Sequence, residues 1–213
     1  MTNAERQTLA TIVDALAHAG IVRTRDIADV APLIADVNPD SVVAWAQSYG
    51  YDADVAERVR VACTSGCDAR VPAEGMGRAY IAAVVVVLAV YGKQYNRGQL
   101  AELAIAILLG LFPGQGRANG RPAATDAPDI VLGEWGMSCK NVAERCTFVD
   151  GDKADRLLAM LGNVDVLYIL TRPTWAELED RYAEVETSRG TKRSPRSKKS
   201  IAAMVEWLEG RTA

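Results

Sequence analysis

The chain has 213 residues, of which 49% are apolar and 24% charged, with a formal net charge of −3. A chain of this length buries a sizeable core, and its composition excludes a disordered polymer. The small negative charge gives no global attraction for nucleic acid, so any contact with a polyanion has to come from a local basic patch.

The opening MTNAERQTLATIVDALAHAG lacks the basic start and continuous apolar run of a secretory signal. Residues 4–19 instead carry Leu9, Ile12, Val13, Leu16 and Ala17 at helical spacing, and Gly20 ends the run. A second helix is expected over 24–37, capped by Thr24 and interrupted by Pro32, a third opens at Asn38-Pro39-Asp40-Ser41, and a fourth at Asp52 or Asp54. Short helices of this kind can form a helix-turn-helix, but no basic recognition face is present, so an appendage or a dimerisation element is favoured. His18 on the apolar face of the first helix reads as a structural residue rather than a catalytic base.

The most apolar run, Ala79 to Val90, is shorter than the roughly 20 residues needed to cross a bilayer, so a cytoplasmic protein without a membrane partner is expected. The alanines and the length of 76–91 favour a buried helix over a strand despite Val84-Val85-Val86-Val87. Asn96 and Gln99 stand in capping-box positions for a helix from Arg97 to Leu111, apolar almost all round, with Glu102 its only internal charge. The four cysteines are at 63, 67, 139 and 146; Cys63-Thr-Ser-Gly-Cys67 looks like half a zinc site but has no histidine near it, so free thiols are expected.

Residues 113–127, rich in Gly, Pro and Ala, form a loop that carries Arg117 and Arg121. The rhythm is then strand-like over 129–133, 136–142 and 145–149, followed by a helix over 152–161 with Leu157, Leu158 and Leu161 on one face. Val164 to Thr171 is the strongest strand, and Pro173-Thr174 starts a helix reaching about 186. The segment 188–200 carries six basic residues and no acid, before a last amphipathic helix over 201–209. This order implies an α/β fold: a three-layer core with a small mixed sheet flanked by helices, preceded by an all-helical N-terminal region. The expected divisions are 1–72, 73–187 and the basic tail with its helix, 188–213.

The segment 127–141, APDIVLGEWGMSCKN, reads as a hairpin. With Glu134 and Trp135 in the turn, the pairs are Leu132 with Met137, Val131 with Ser138 and Asp129 with Lys140. Alternation then puts Asp129, Val131, Ser138 and Lys140 on one face, and Ile130, Leu132, Met137 and Cys139 on the other. A carboxylate beside a lysine is either a cross-strand ion pair or a metal–lysine site for phosphodiester hydrolysis. In the second case the carboxylate holds a hard divalent cation while the lysine steadies the attacking oxygen.

Pro128-Asp129 followed by Ser138-Cys139-Lys140 resembles the PD-(D/E)xK signature of the restriction-endonuclease-like nuclease superfamily. Over residues 96–186 the order of elements is similar to its Mrr-like branch, in which a glutamate from the preceding helix joins the metal site; Glu102 is the matching position. The resemblance implies a restriction-endonuclease-like core and a Mg²⁺- or Mn²⁺-dependent DNA endonuclease of restriction or phage defence, working as a homodimer. Asp129, Lys140, Glu102 and Ser138 would form its catalytic group, and Asp129, Glu102 and Cys139 its metal ligands. The chain departs from the pattern at Ser138, where Glu or Asp is usual, so Glu102, Glu134 or Glu144 would have to supply the missing carboxylate. DNA would be held by Arg117 and Arg121 in the loop and by Arg189, Lys192, Arg193, Arg196, Lys198 and Lys199 in the tail. Ser138 also leaves room for a nuclease fold that has lost cleavage and serves as a DNA-binding or assembly module. A regulator fused to a sensor is a third reading, weakened by the missing recognition helix.

Overall fold

The computed structural model describes residues 1–18, 30–91, 97–111, 128–142, 147–148, 154–182, 185–186, 192–193 and 198–212. The chain divides into two compact units that do not follow chain order: residues 1–52 with 75–120, and residues 53–74 with 121–213.

The first unit is helical: α1 (Asn3–His18), a short helical turn at 30–34, α2 (Pro39–Gly50), α4 (Met76–Val90) and α5 (Arg97–Leu108). Thr2 and Glu5 close the start of α1 reciprocally, the Thr2 N–H donating to Glu5 Oε2 at 2.6 Å and the Glu5 N–H to Thr2 Oγ1 at 3.2 Å. The Thr2 N–H, joined by the Asn38 N–H that donates to Glu5 Oε1 at 3.3 Å, holds the Glu5 carboxyl below its ordinary value. Leu9, Ile12 and Leu16 of α1 are buried, as their spacing requires. Asn38 caps α2 by accepting the Asp40 N–H at 3.0 Å. Helix α4 is buried almost all round, and every residue from Ala82 to Leu88 belongs to the core. The alanines allow close approach: a Cβ on Gly50 would lie 2.6 Å from Ile107 Cγ2 and 2.9 Å from the Ala79 Cα. Gly50→Ala is therefore expected to destabilise the protein by about 1–3 kcal/mol, read from the urea midpoint, because a methyl group there forces α2 away from α4 and α5. Among the described residues no helix is long and apolar enough to cross a membrane.

The second unit contains α3 (Ala53–Thr64), β1 (Ala69–Pro72), β2 (Ile130–Leu132), β3 (Trp135–Val142), β4 (Thr147–Phe148), β5 (Arg156–Leu161), β6 (Val166–Thr171), α6 (Arg172–Tyr182), β7 (Val185–Glu186), β8 (Lys192–Arg193) and α7 (Lys198–Glu209). Five strands form a mixed sheet in the order β1-β6-β5-β3-β2, parallel only between β3 and β5, and a small second sheet runs β4-β8-β7. The α/β class with a mixed sheet flanked by helices is thus as the sequence implies.

Outside the five-stranded sheet, 185–186 form β7 where a helix to about 186 is expected, and 192–193 of the basic tail form β8; within that sheet, two elements differ from expectation. Residues 156–161 form β5 instead of part of a helix over 152–161, and every residue of the strand is buried. In RLLAML the apolar residues are continuous, which a strand covered on both faces requires and which helical periodicity cannot be told from. Residues 69–72, placed in the helical region by sequence, form β1, whose Ala69 to Pro72 pair antiparallel with Ile169 to Val166 at the sheet edge, where proline is tolerated.

One face of the sheet packs Leu157, Ala159, Leu161, Tyr168 and Leu170 against Trp175 and Leu178 of α6 and Ile201, Met204 and Leu208 of α7. On the other face Cys63 of α3 puts its Sγ 3.4 Å from Met137 Sδ. Burial pushes the Cys63 thiol from its ordinary 9.0 up to about 12. It stays protonated at neutral pH, and since the unfolded chain releases that proton first, this thiol lowers stability as pH rises from 9 towards 12. Cys63 and Cys139 are buried and Cys67 is exposed, none of them in a disulfide. In a Cys146→Ser background, native protein treated with iodoacetamide at pH 8 is expected to be alkylated at Cys67 alone by mass spectrometry.

Candidate active site

The hairpin folds with a register two residues from the expected one. Leu132 pairs with Trp135, Val131 with Gly136 and Ile130 with Met137, so Gly133 and Glu134 make the turn instead of Glu134 and Trp135. Gly133 has φ +59°, and no described residue other than glycine has a positive φ. A positive φ at the first turn position alone fits a type II′ turn, which asks for glycine there. A shift of two residues preserves the alternation of faces. Asp129, Val131, Ser138 and Lys140 therefore still share one face, while Ile130, Met137 and Cys139 are buried on the other.

Asp129 stands just before β2, and its main-chain N–H donates to the Met137 carbonyl at 2.9 Å. Its Oδ2 accepts the Ser138 hydroxyl at 3.2 Å and the Cys139 N–H at 2.8 Å. The carboxylate thus satisfies a main-chain donor of β3, and it leaves Oδ1 with no hydrogen bond among the described residues. Ser138 fixes the orientation of Asp129, and its hydroxyl is a weaker cation ligand than the carboxylate expected at that position. Lys140 is half-buried on the same face, opposite Ala159 of β5, with no ion pair or hydrogen bond among the described residues. A lysine on the same face as a carboxylate can hold an anion whose counter-cation the carboxylate binds.

Cys139 is 2% exposed with its side chain on the opposite face, so the thiol does not join Asp129. Glu102 is half-buried on α5 of the helical unit. Glu134 is exposed in the turn, and Glu144 lies outside the described residues. Arg117, Arg121, Arg189 and Arg196 also lie outside them. Lys192 and Arg193 form β8, while Lys198 and Lys199 open α7. A Cβ on Gly162, just past β5, would lie 3.2 Å from Ile201 Cγ2, which puts the start of α7 at the end of the strand beside Lys140.

Sequence reasoning passed over Asp155. Its Oδ2 accepts the Gly136 N–H at 2.8 Å while its own N–H donates to the Gly136 carbonyl at 2.7 Å, pinning the start of β5 to β3. Asp155 and Asp129 bind N–H groups three residues apart along one strand, about 10 Å. The signal that could have found it is Ala-Asp directly before an apolar run, once that run is recognised as a strand.

Set against protein-family models, curated proteins and solved structures, the chain matches none of them.

Proposed function

We propose that the protein is a metal-dependent endodeoxyribonuclease with a restriction-endonuclease-like core, acting in restriction or phage defence. The observation that carries this reading is the shared face of Asp129, Ser138 and Lys140 on the β2–β3 hairpin. Asp129 Oδ1 would hold Mg²⁺ or Mn²⁺ together with the Cys139 carbonyl. A cation so placed neutralises charge on the scissile phosphate and activates water, while Lys140 steadies the attacking oxygen. The support is the hairpin and not the whole element order, since 156–161 is a strand. Lys198 and Lys199, opening α7 near the Lys140 strand, supply positive charge for the DNA backbone. A homodimer would let two such sites cut both strands.

Ser138 favours a second reading, a DNA-binding or assembly module without cleavage, because its hydroxyl occupies the place of a metal-binding carboxylate. Plasmid and phage DNA incubated with Mg²⁺ or Mn²⁺ should be nicked or cut by the wild type and by neither Asp129→Asn nor Lys140→Ala. Binding of DNA without a metal-dependent thermal shift and without cleavage selects the second reading.

A further inference from the structure

Cys63 and Cys67 flank the end of α3, one thiol buried and the other exposed. We propose that they are a redox pair, in which Cys67 takes the oxidant and Cys63 closes a reversible disulfide, whether or not the Asp129 face cleaves DNA.

The sheet beneath α3 brings the two cysteines together. Cys63 places its Sγ 3.4 Å from Met137 Sδ. Met137 of β3 stands opposite Arg156 of β5, so their side chains are neighbours on one face of the sheet. Arg156 in turn donates from Nη1 to the Cys67 carbonyl at 3.5 Å. Each cysteine therefore lies against one member of a cross-strand pair. Adjacent strands are about 4.8 Å apart, inside the range of about 4.4–6.8 Å that a disulfide spans between Cα atoms. The chain between them folds to match. The Ser65 N–H donates to the Ala62 carbonyl at 3.4 Å, the Cys67 N–H donates to Ser65 Oγ at 3.3 Å, and Gly66 at φ +80° turns the chain back towards the sheet.

The thiols are unequal in the way a redox pair requires. Cys67 is exposed, whereas burial pushes the Cys63 thiol up to about 12 against the pull of the Arg156 guanidinium. A small disulfide, RSSR, therefore meets Cys67 first. The Cys67 thiolate attacks one sulfur of RSSR, forming Cys67–S–S–R and releasing RS⁻, which takes up a proton. Cys63 then leaves Met137, gives its proton to solvent and attacks Cys67 Sγ, forming the Cys63–Cys67 bond and releasing the second R group as RSH. In sum two protein thiols are oxidised and one RSSR is reduced to two RSH. Arg156 is suited to the second step: it is 2% exposed, its Nε has no hydrogen-bond partner, and no carboxylate pairs with it among the described residues. A guanidinium in that state favours a neighbouring thiolate.

The full chain carrying Cys146→Ser, incubated with oxidised glutathione at pH 8, tests this. Each chain is expected to release two molecules of reduced glutathione, with a transient adduct at Cys67. The tryptic peptide 61–70, which contains both cysteines, should then weigh two hydrogens less, resist iodoacetamide, and regain both thiols with dithiothreitol. Cys63→Ala should release one glutathione and keep the other on Cys67. Cys67→Ser, at an exposed position that leaves the fold intact, should release none. A lasting glutathione adduct at Cys67 with Cys63 still reduced, a disulfide joining Cys63 to Cys139, two chains joined through Cys67, or no reaction at Cys67 would each overturn the proposal, whatever the outcome for cleavage.

Discussion

Asp129→Asn is expected to slow Mg²⁺-dependent DNA cleavage by about 10³-fold while shifting the melting temperature by no more than a few degrees. The two effects separate because Asp129 does two jobs. Its Oδ2 accepts from Ser138 and from the Cys139 main chain, and the amide oxygen of asparagine reproduces both bonds. The amide does not reproduce the negative charge that draws a divalent cation. Asp129→Ala is the less informative variant, since it orphans a buried N–H at a cost of about 1–3 kcal/mol and confuses loss of fold with loss of chemistry. Ser138→Asp is the complementary change: if the site binds metal, a second carboxylate beside Oδ1 should enlarge the Mg²⁺-induced thermal shift. Wild-type cleavage by Asp129→Asn would remove Asp129 from the mechanism and leave it only its place in the hairpin.

Deleting residues 187–213 is expected to unfold the sheet unit, with the loss of its cooperative thermal transition. Although the basic run before it reads as a detachable tail, α7 buries Ile201, Met204 and Leu208 against β5 and β6. Each such side chain contributes about 1.5–3 kcal/mol by burial alone. The helix is also tied down at its far end. Arg211 reaches Glu177 of α6 at 2.9 Å, and the Trp207 ring lies between the Arg211 and Arg181 guanidiniums, 4.7 Å and 5.4 Å from its centroid. These exposed contacts add little individually, and the buried leucine and methionine set the loss. Truncation therefore does not test DNA binding. Lys198→Gln with Lys199→Gln should keep the fold, as judged by melting, while reducing the slope of log affinity against log salt by about 1.8 if both lysines contact phosphate. A cooperative, wild-type transition after deletion would show that α7 does not hold the sheet.

The local features are those the sequence determined by itself. Leu9, Ile12 and Leu16 define α1, Asn38-Pro39 starts α2, and the alanine-rich valine run makes a buried helix, because capping and periodicity act within a few residues. The hairpin faces were also legible, since alternation survives an error of two residues in register, while the turn was misplaced because Gly133 and Gly136 look alike until one of them is required at positive φ. Only tertiary structure decided that RLLAML is a strand, because a segment covered on both sides shows no period; its neighbours β3 and β6 supply the hydrogen bonds that a helix would have made internally. The same holds for Ala69 to Pro72, which is a strand only because the edge of β6 is there to pair with it. Tertiary contacts likewise join α3 and β1 to a sheet whose other strands lie beyond residue 121, an association between distant segments that no local pattern encodes. A pocket of about 650 Å³ at Trp135 follows from that association, for it brings Arg60 and Thr64 of α3 to a turn some seventy residues further along the chain, where a hairpin read alone shows only an exposed aromatic.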